Sequence, residues 1–170
     1  MQPLHLFSSK HGQRQCGFSL IEVLVALLVL SIGLLGLAGL QTLGLKFNTQ
    51  SYQRTQAVLN AYEIIDRIRA NRGGMLAGEY DNISLSFTPP VEDCTIGGNC
   101  NTTQMANYDI GQWKTSLTNL LAQGQGGICR GTLDLNPFSC TVDATRTQFT
   151  VGIAWLESDI PMSLTVEAQL

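Results

Sequence analysis

Apolar residues crowd into one stretch of the chain and are spread thinly elsewhere. From Phe18 to Leu40 the sequence reads FSLIEVLVALLVLSIGLLGLAGL, with a single charge at Glu22. As a helix rising about 1.5 Å per residue, the segment spans roughly 35 Å, enough to cross a bilayer core. A cleaved secretory signal has an apolar run of only about 7–15 residues. The stretch therefore reads as a retained anchor. The small residues Ala38-Gly39 mimic a signal-peptidase site, which makes a secreted chain the weaker alternative.

Beyond the apolar run the pattern changes but the helix does not stop. No proline occurs between Phe18 and Arg72. Within Gln41 to Arg72, Val58, Tyr62 and Ile65 recur at spacings of 4 and 3, as do Ile64 and Ile68 at 4. That is the stripe of an amphipathic helix with one face on a core. Gly73-Gly74 supplies a stop. One helix of about 55 residues is predicted, its first half in a membrane and its second half on a globular head. Gly33, Gly36 and Gly39 fall on one face of the first half, and each costs up to about 1 kcal/mol of helix stability in water. Either small residues there allow close helix packing, or this section bends and locally melts.

After Gly74 the composition shifts to Gly, Asn, Thr and Ser. Ile83 to Thr88 alternates as a strand and stops at Pro89-Pro90. Asp109, with Gln112 three residues on, has capping-box spacing and opens a short helix. Ile110, Trp113, Leu117, Leu120 and Leu121 mark its buried face, and Gly124 to Gly127 ends it. Phe149, Val151 and Ile153 alternate, as do Leu164 and Val166. With Glu157 to Pro161 as the turn, they predict a C-terminal β-hairpin. Trp113 and Trp155 read as core residues. The fold class is α+β: a long N-terminal helix packed on a small antiparallel sheet. The parts are residues 1–17 (a leader), 18–40 (the spanning helix), 41–73 (its amphipathic continuation) and 74–170 (the head).

Charge sharpens this picture. The chain has 10 Lys and Arg against 13 Asp and Glu, a net charge of -3. Residues 1–17 hold Lys10 and Arg14 with His5 and His11 and no acid, which leaves 8 basic and 13 acidic side chains beyond them. A short basic N-terminus before an apolar run places that end in the cytoplasm. No clustered basic face argues for nucleic acid as a partner. Glu22 stands out, because a carboxylate in a spanning segment costs on the order of 2.5–3.5 kcal/mol near the centre and less near an end. One reading has Glu22 at the membrane interface, complementing the helix N-terminus.

The residues around it favour a second reading. Cys16-Gly17 is followed by Phe18-Ser19-Leu20-Ile21-Glu22-Val23. This resembles the class III signal of type IV prepilins and type II secretion pseudopilins: Gly, then Phe, then an apolar run with Glu fifth after the cut. The resemblance implies that a prepilin peptidase cuts after Gly17 and N-methylates the new Phe18 amine. The helix then holds the subunit in the inner membrane, head in the periplasm, and later packs in a fibre core. Glu22 would pair with the Phe18 amine of a neighbouring subunit, so that two costly charges offset each other and fix the stagger between helices, as a buried polar group fixes register in a coiled coil. The resemblance also favours local melting around Gly33 to Gly39. Many family members have a proline near the position of Gly39, and this chain does not.

The run Ala61 to Arg72 (AYEIIDRIRANR) resembles a segment of the minor pilins of the type IV pilus modification protein PilV group. Arg67, Arg69 and Arg72 meet the C-terminal helix dipole or offer a surface to another subunit. The resemblance implies the type IV pilin fold and a minor pilin that primes pilus assembly, supporting twitching motility and adhesion. Its partners would be the prepilin peptidase, other minor pilins and the major pilin, the inner-membrane assembly platform, membrane lipid and a tip adhesin. The alternatives are a minor pseudopilin of a type II secretion system and a membrane-anchored periplasmic binding module.

Cleavage would remove Cys16 and leave Cys94, Cys100, Cys129 and Cys140 in an oxidising compartment. Of three pairings, Cys94–Cys100 and Cys129–Cys140 are favoured because each closes a short Gly- or Pro-containing loop. Neither spacing is the two-residue gap common in zinc sites, so a metal is not expected. With both histidines in the leader, His-based triads and His-metal sites are unavailable to the mature chain. There is no phosphate-binding loop and no G-x-S-x-G elbow, so neither catalysis nor a cofactor is expected. Asn82-Ile83-Ser84 and Asn101-Thr102-Thr103 match a three-residue glycosylation signal of low specificity.

Overall fold

A computed structural model describes residues 17–95, 99–143, 145 and 147–170. The residues before Gly17, read above as part of a leader and including His5, Lys10, His11, Arg14 and Cys16, lie outside the described residues. The chain divides into two compact units, one reaching Leu45 and one from Lys46 to Leu170. Helix α1, Leu20–Ala70, begins in the first and continues in the second.

In the first unit every side chain from Leu20 to Leu45 is exposed. A helix apolar on all sides offers no face to segregate toward water.

In the second unit α1 buries Ala57, Asn60, Ala61, Ile64, Ile65 and Ile68, spaced alternately by three residues and one. The stripe is rotated from the one expected. Ile64, Ile65 and Ile68 are fully buried, whereas Tyr62 is 54% exposed and Val58 half-buried on its flank. Two alanines and an asparagine occupy the line of closest approach, where small residues let the helix come near its neighbours. The indole of Trp113 uses that proximity, donating to the Asn60 carbonyl at 3.0 Å.

The helix does not stop at the glycine pair. It ends at Ala70, Asn71 leaves helical geometry, and a short helix α2, Arg72–Leu76, contains both glycines. The Gly74 amide donates to the Asn71 side chain at 3.2 Å, so Asn71 both breaks one helix and caps the next. The glycines serve a close approach instead. A Cβ on Gly74 would lie 2.6 Å from the Asn71 amide nitrogen and 3.0 Å from the Thr102 carbonyl, and one on Gly73 would lie 2.6 Å from the Thr102 methyl.

Helix α3, Thr102–Leu120, starts seven residues before the expected cap. Its capping box is Asn101 with Gln104, whose side chains and amides bond reciprocally at 2.8 and 3.1 Å. Asp109 is inside the helix and buried. Ile110, Trp113, Leu117 and Leu121 face the core, but Leu120 is 41% exposed. Of the expected terminating run only Gly124 lies outside a strand, because Gln125 opens β2, Gln125–Cys129. Gly126 must lack a side chain: a Cβ would lie 2.3 Å from the Trp113 ring.

The main sheet is antiparallel, in the order β1 (Asn82–Ile83), β2, β5 (Gln148–Glu157) and β6 (Ile160–Gln169). Strands β5 and β6 form the C-terminal hairpin, with Val151 opposite Val166 and Ile153 opposite Leu164. Its turn is only Ser158-Asp159, both at positive φ (52° and 65°), the geometry that matches strand twist in a two-residue hairpin. The expected strand from Ile83 to Thr88 shrinks to two residues. The Lys114 ammonium donates to the Ser84 and Leu85 carbonyls at 2.7 and 3.0 Å, withdrawing them from a ladder, and Phe87 N turns back onto Ser84 O. A second hairpin, β3 (Gly131–Leu135) with β4 (Phe138–Val142), packs beside the sheet. The chain is thus α+β, with a long N-terminal helix and an antiparallel sheet head, in keeping with the type IV pilin fold.

Polar groups lock the head at one point. Asp109 accepts from Arg67 on α1 at 3.1 Å and from the Tyr80 hydroxyl at 2.9 Å, and the Asn71 amide donates to Tyr80 and to the Thr102 carbonyl at 3.0 and 2.7 Å. Burial and the neighbouring carboxylate push the Tyr80 phenol well above its usual value. Burial alone would lower the Arg67 guanidinium, but its hydrogen bonds to Glu63 and Asp109 more than offset this and raise it. Replacing Asp109 by Ala leaves the buried Tyr80 hydroxyl without its acceptor and takes one of two carboxylate partners from Arg67, which keeps Glu63, and an unpaired buried donor is expensive. We expect Asp109→Ala to cost about 2–3 kcal/mol and Asp109→Asn, which keeps an acceptor, clearly less. Thermal melting of the detergent-solubilised chain measures both, and equal melting of Asp109→Ala and wild type would refute the assignment.

Burial also lowers the Lys114 ammonium from 10.5 to about 8. Between those values the unfolded chain holds a proton that the folded chain has lost, so this group makes stability rise with pH across that window. The melting temperature of wild type relative to Lys114→Met should therefore increase from pH 7.5 to pH 9.5. A constant difference would contradict the shift.

Candidate functional site at the head of the apolar helix

Gly17, Phe18 and Ser19 precede α1, and Phe18 is 83% exposed. The helix opens on Ser19, whose carbonyl accepts from the amides of Glu22 and Val23 at 3.0 and 3.3 Å. Glu22 therefore lies in the first turn, where a carboxylate complements the partial positive charge of free amides. Ser19 and Glu22 also have the spacing of a capping box, a signal in the residues that the sequence reading passed over. Phe18 and Glu22 are four residues apart, about one helical turn. Glu22 is the only Asp, Glu, Lys or Arg between Leu20 and Leu45.

The two hydroxyls of this stretch are satisfied without outside help. Ser31 donates to the Leu27 carbonyl at 2.7 Å and Thr42 to the Ala38 carbonyl at 3.0 Å. Such back-bonding to residue i−4 makes a hydroxyl tolerable where water is absent. Among the described residues α1 is the one helix long and apolar enough to cross a membrane. A Cβ on Gly33, Gly36 or Gly39 would meet nothing within 4 Å, so no contact inside this chain calls for those glycines. Their smallness has a use only against another helix, or in bending.

The head carries two disulfides, Cys94–Cys100 and Cys129–Cys140, each with Cα atoms 5.6 Å apart. The first ties the segment before α3 to its cap at Asn101. The second joins β2 of the main sheet to β4 of the side hairpin. No group of three or more His, Cys, Asp or Glu among the described residues could hold a metal ion. The arginine cluster splits three ways: Arg67 is held by Glu63 and Asp109, Arg69 pairs with Asp66 at 2.8 Å on the surface, and Arg72 is exposed at the start of α2. Asn101 of the second glycosylation triplet spends its side chain on the α3 cap.

Sequence reasoning named Asp109 as a helix cap and missed its role as the central polar residue of the head, because its partners Arg67 and Tyr80 are 42 and 29 residues away. It also missed Arg130, which donates to the Met75 carbonyl, lies with Nε 2.9 Å from Asp81 Oδ1, though the N–H is not aimed at it, and stacks over Phe149 at 5.0 Å. Burial raises the Asp81 carboxyl, while Arg130 opposes the shift.

Two family profiles match the chain. The prokaryotic N-terminal methylation motif matches residues 12–38, and type IV pilin Tt1218 matches residues 39–111. Neither the curated proteins nor the solved structures contain a match. The profiles run without a gap from the segment before Gly17, through the apolar helix, to the middle of α3. Methylation signal, spanning-length helix and antiparallel head thus follow one another in the order of a prepilin, and the chain belongs to the type IV prepilin family.

Proposed function

We propose that this chain is a minor pilin of the PilV kind, a structural subunit and not an enzyme, that takes part in priming type IV pilus assembly and thereby supports twitching motility and adhesion. The observation that carries this reading is the junction of Gly17-Phe18 with an apolar helix exposed on every side and bearing one carboxylate in its first turn. In this scheme the prepilin peptidase cuts after Gly17 and methylates the Phe18 amine. The helix holds the subunit in the inner membrane with the head in the periplasm. Lipid covers the apolar surface first. Helices of other minor pilins and of the major pilin replace it when the assembly platform extracts the subunit. A tip adhesin is the expected partner of the emerging complex.

Glu22 sets the register of that exchange. Left alone in an apolar medium its carboxylate would be costly. The amine of a neighbour's Phe18 offsets that cost, and only one stagger between helices brings the two together. The disulfides support a head exposed to an oxidising compartment and stiffen loops that the small core leaves loose.

Two experiments test the reading. Glu22→Ala should leave processing intact, seen as an intact mass starting at Phe18 plus one methyl, while its content in sheared fibres falls at least about tenfold, as loss of one buried ion pair would give. Normal incorporation would rule out the register role. Deleting the gene should abolish surface pili and twitching. Loss of exoprotein secretion with pili intact would instead assign the subunit to a type II secretion pseudopilus.

A further inference from the structure

Strand β6 is the last strand of the main sheet, and no described strand pairs with its outer side. The two-residue turn fixes which of its groups are free. Glu157 and Ile160 close the hairpin as a bonded pair, so every second residue from Ile160 faces β5. The amides and carbonyls of Ser163, Thr165, Glu167 and Gln169 therefore point outward. Pro161, which has no N–H, marks the end of this edge. Natural edges are usually guarded by charge, bulges or shortness. This one is ten residues long and carries Glu167 as its only charge, and that carboxylate is already engaged by Gln148 at 2.6 Å.

The core side of the same edge is unfinished. Met162, Leu164, Val166 and Ala168 pack against the core yet are only half-buried. Beside them a groove of about 240 Å³ is lined by Arg54, Val58, Trp155, Met162, Ser163 and Leu164. Trp155 is 4% exposed, and its indole N–H has no acceptor within reach among the described residues. A buried donor without a partner costs free energy. Arg54, largely exposed at the rim, makes only a 3.8 Å contact with Glu157. An acceptor entering this groove would meet Arg54 at the rim directly and the covered Trp155 N–H once a lining side chain turns aside.

We propose that β6 is a docking edge for an extended segment of a different protein, which adds as a fifth strand to the sheet. Its alternate residues are aliphatic and cover Met162, Leu164 and Val166, and one carries an acceptor (a carboxamide, hydroxyl or carboxylate) that enters the groove against Trp155. Main-chain bonds supply affinity and the groove supplies selection, as in other strand additions. A second copy of this chain fits less well. Antiparallel pairing about Thr165 would set Val166 beside Leu164 and Ala168 beside Met162, and neither offers Trp155 an acceptor. The proposal concerns the head alone and holds for a subunit of either machine.

The test uses the full chain in its own cells, with a benzophenone amino acid at Ser163, irradiated and mapped by mass spectrometry. Cross-links should fall on one contiguous segment of a second protein. Thr165→Pro removes only an outward N–H and leaves the ladder to β5 intact, so the melting temperature should hold while cross-link yield drops at least about tenfold. Glu167→Pro takes its place if Thr165→Pro destabilises the chain. Trp155→Phe should lower the yield about three- to tenfold, the worth of one hydrogen bond. Cross-links confined to β6 of another copy or to the chain itself, or a yield indifferent to both proline variants, would overturn the proposal.

Discussion

The carboxylate of Asp109 accepts from Arg67 and from the Tyr80 hydroxyl, and Asn71 extends the same network to the start of α3. Four segments distant in sequence meet there: the end of α1, the break after it, the loop leading into the sheet, and α3. Hydrophobic contact can hold a helix on a sheet but is indifferent to small slides and rotations. Directional bonds to a buried carboxylate are not, because a displaced helix leaves a charge or a hydroxyl unpaired in a poorly solvated place. The rotated stripe on α1, the cap at Asn71 and the close approach at Gly73-Gly74 are all compatible with one docking position.

That docking matters because α1 serves two media. Up to Leu45 it is apolar on every side, and its hydroxyls bond back to its own carbonyls. From Ala57 onward it has one narrow buried face made partly of small residues, with charged groups elsewhere. Burial of Ile64, Ile65 and Ile68, at roughly 1.5–3 kcal/mol for each side chain, anchors the helix to its head independently of what surrounds the first half. A subunit that passes from bilayer to fibre needs such a division, since the environment of one half is exchanged while the other must stay folded.

The small core is helped by covalent straps. Cys129–Cys140 holds the side hairpin to the main sheet at β2, and Cys94–Cys100 closes the segment that delivers Asn101 to the start of α3. At the opposite margin of the sheet nothing comparable occurs: β6 ends the sheet with half-covered apolar residues and an unpaired indole N–H. The contrast between a strapped margin and an open one is what marks β6 as the interactive side of the head.

The anchor, the processing signal, the α+β class and the C-terminal hairpin were legible in the residues themselves, because each is written in local order. An apolar run has its length, Gly17-Phe18 and Glu22 have their spacing, and β5 and β6 alternate with period two. Local rules failed where a distant partner outbid them. Asp109 had the spacing of a cap, yet Arg67 and Tyr80 drew it inside a helix that Asn101 caps eight residues earlier. Gly73-Gly74 had the look of a stop, yet close packing against Thr102 is what needs them. Ile83 to Thr88 alternated like a strand, but Lys114 took its carbonyls. Sequence by itself determined the long helix, its apolar segment and the C-terminal hairpin, since those depend on neighbours along the chain, whereas α2 and the β3–β4 hairpin went unread. Only the tertiary structure decided which polar groups are buried together and which strand edge stays open, because both depend on residues tens of positions apart meeting in a space too small for water.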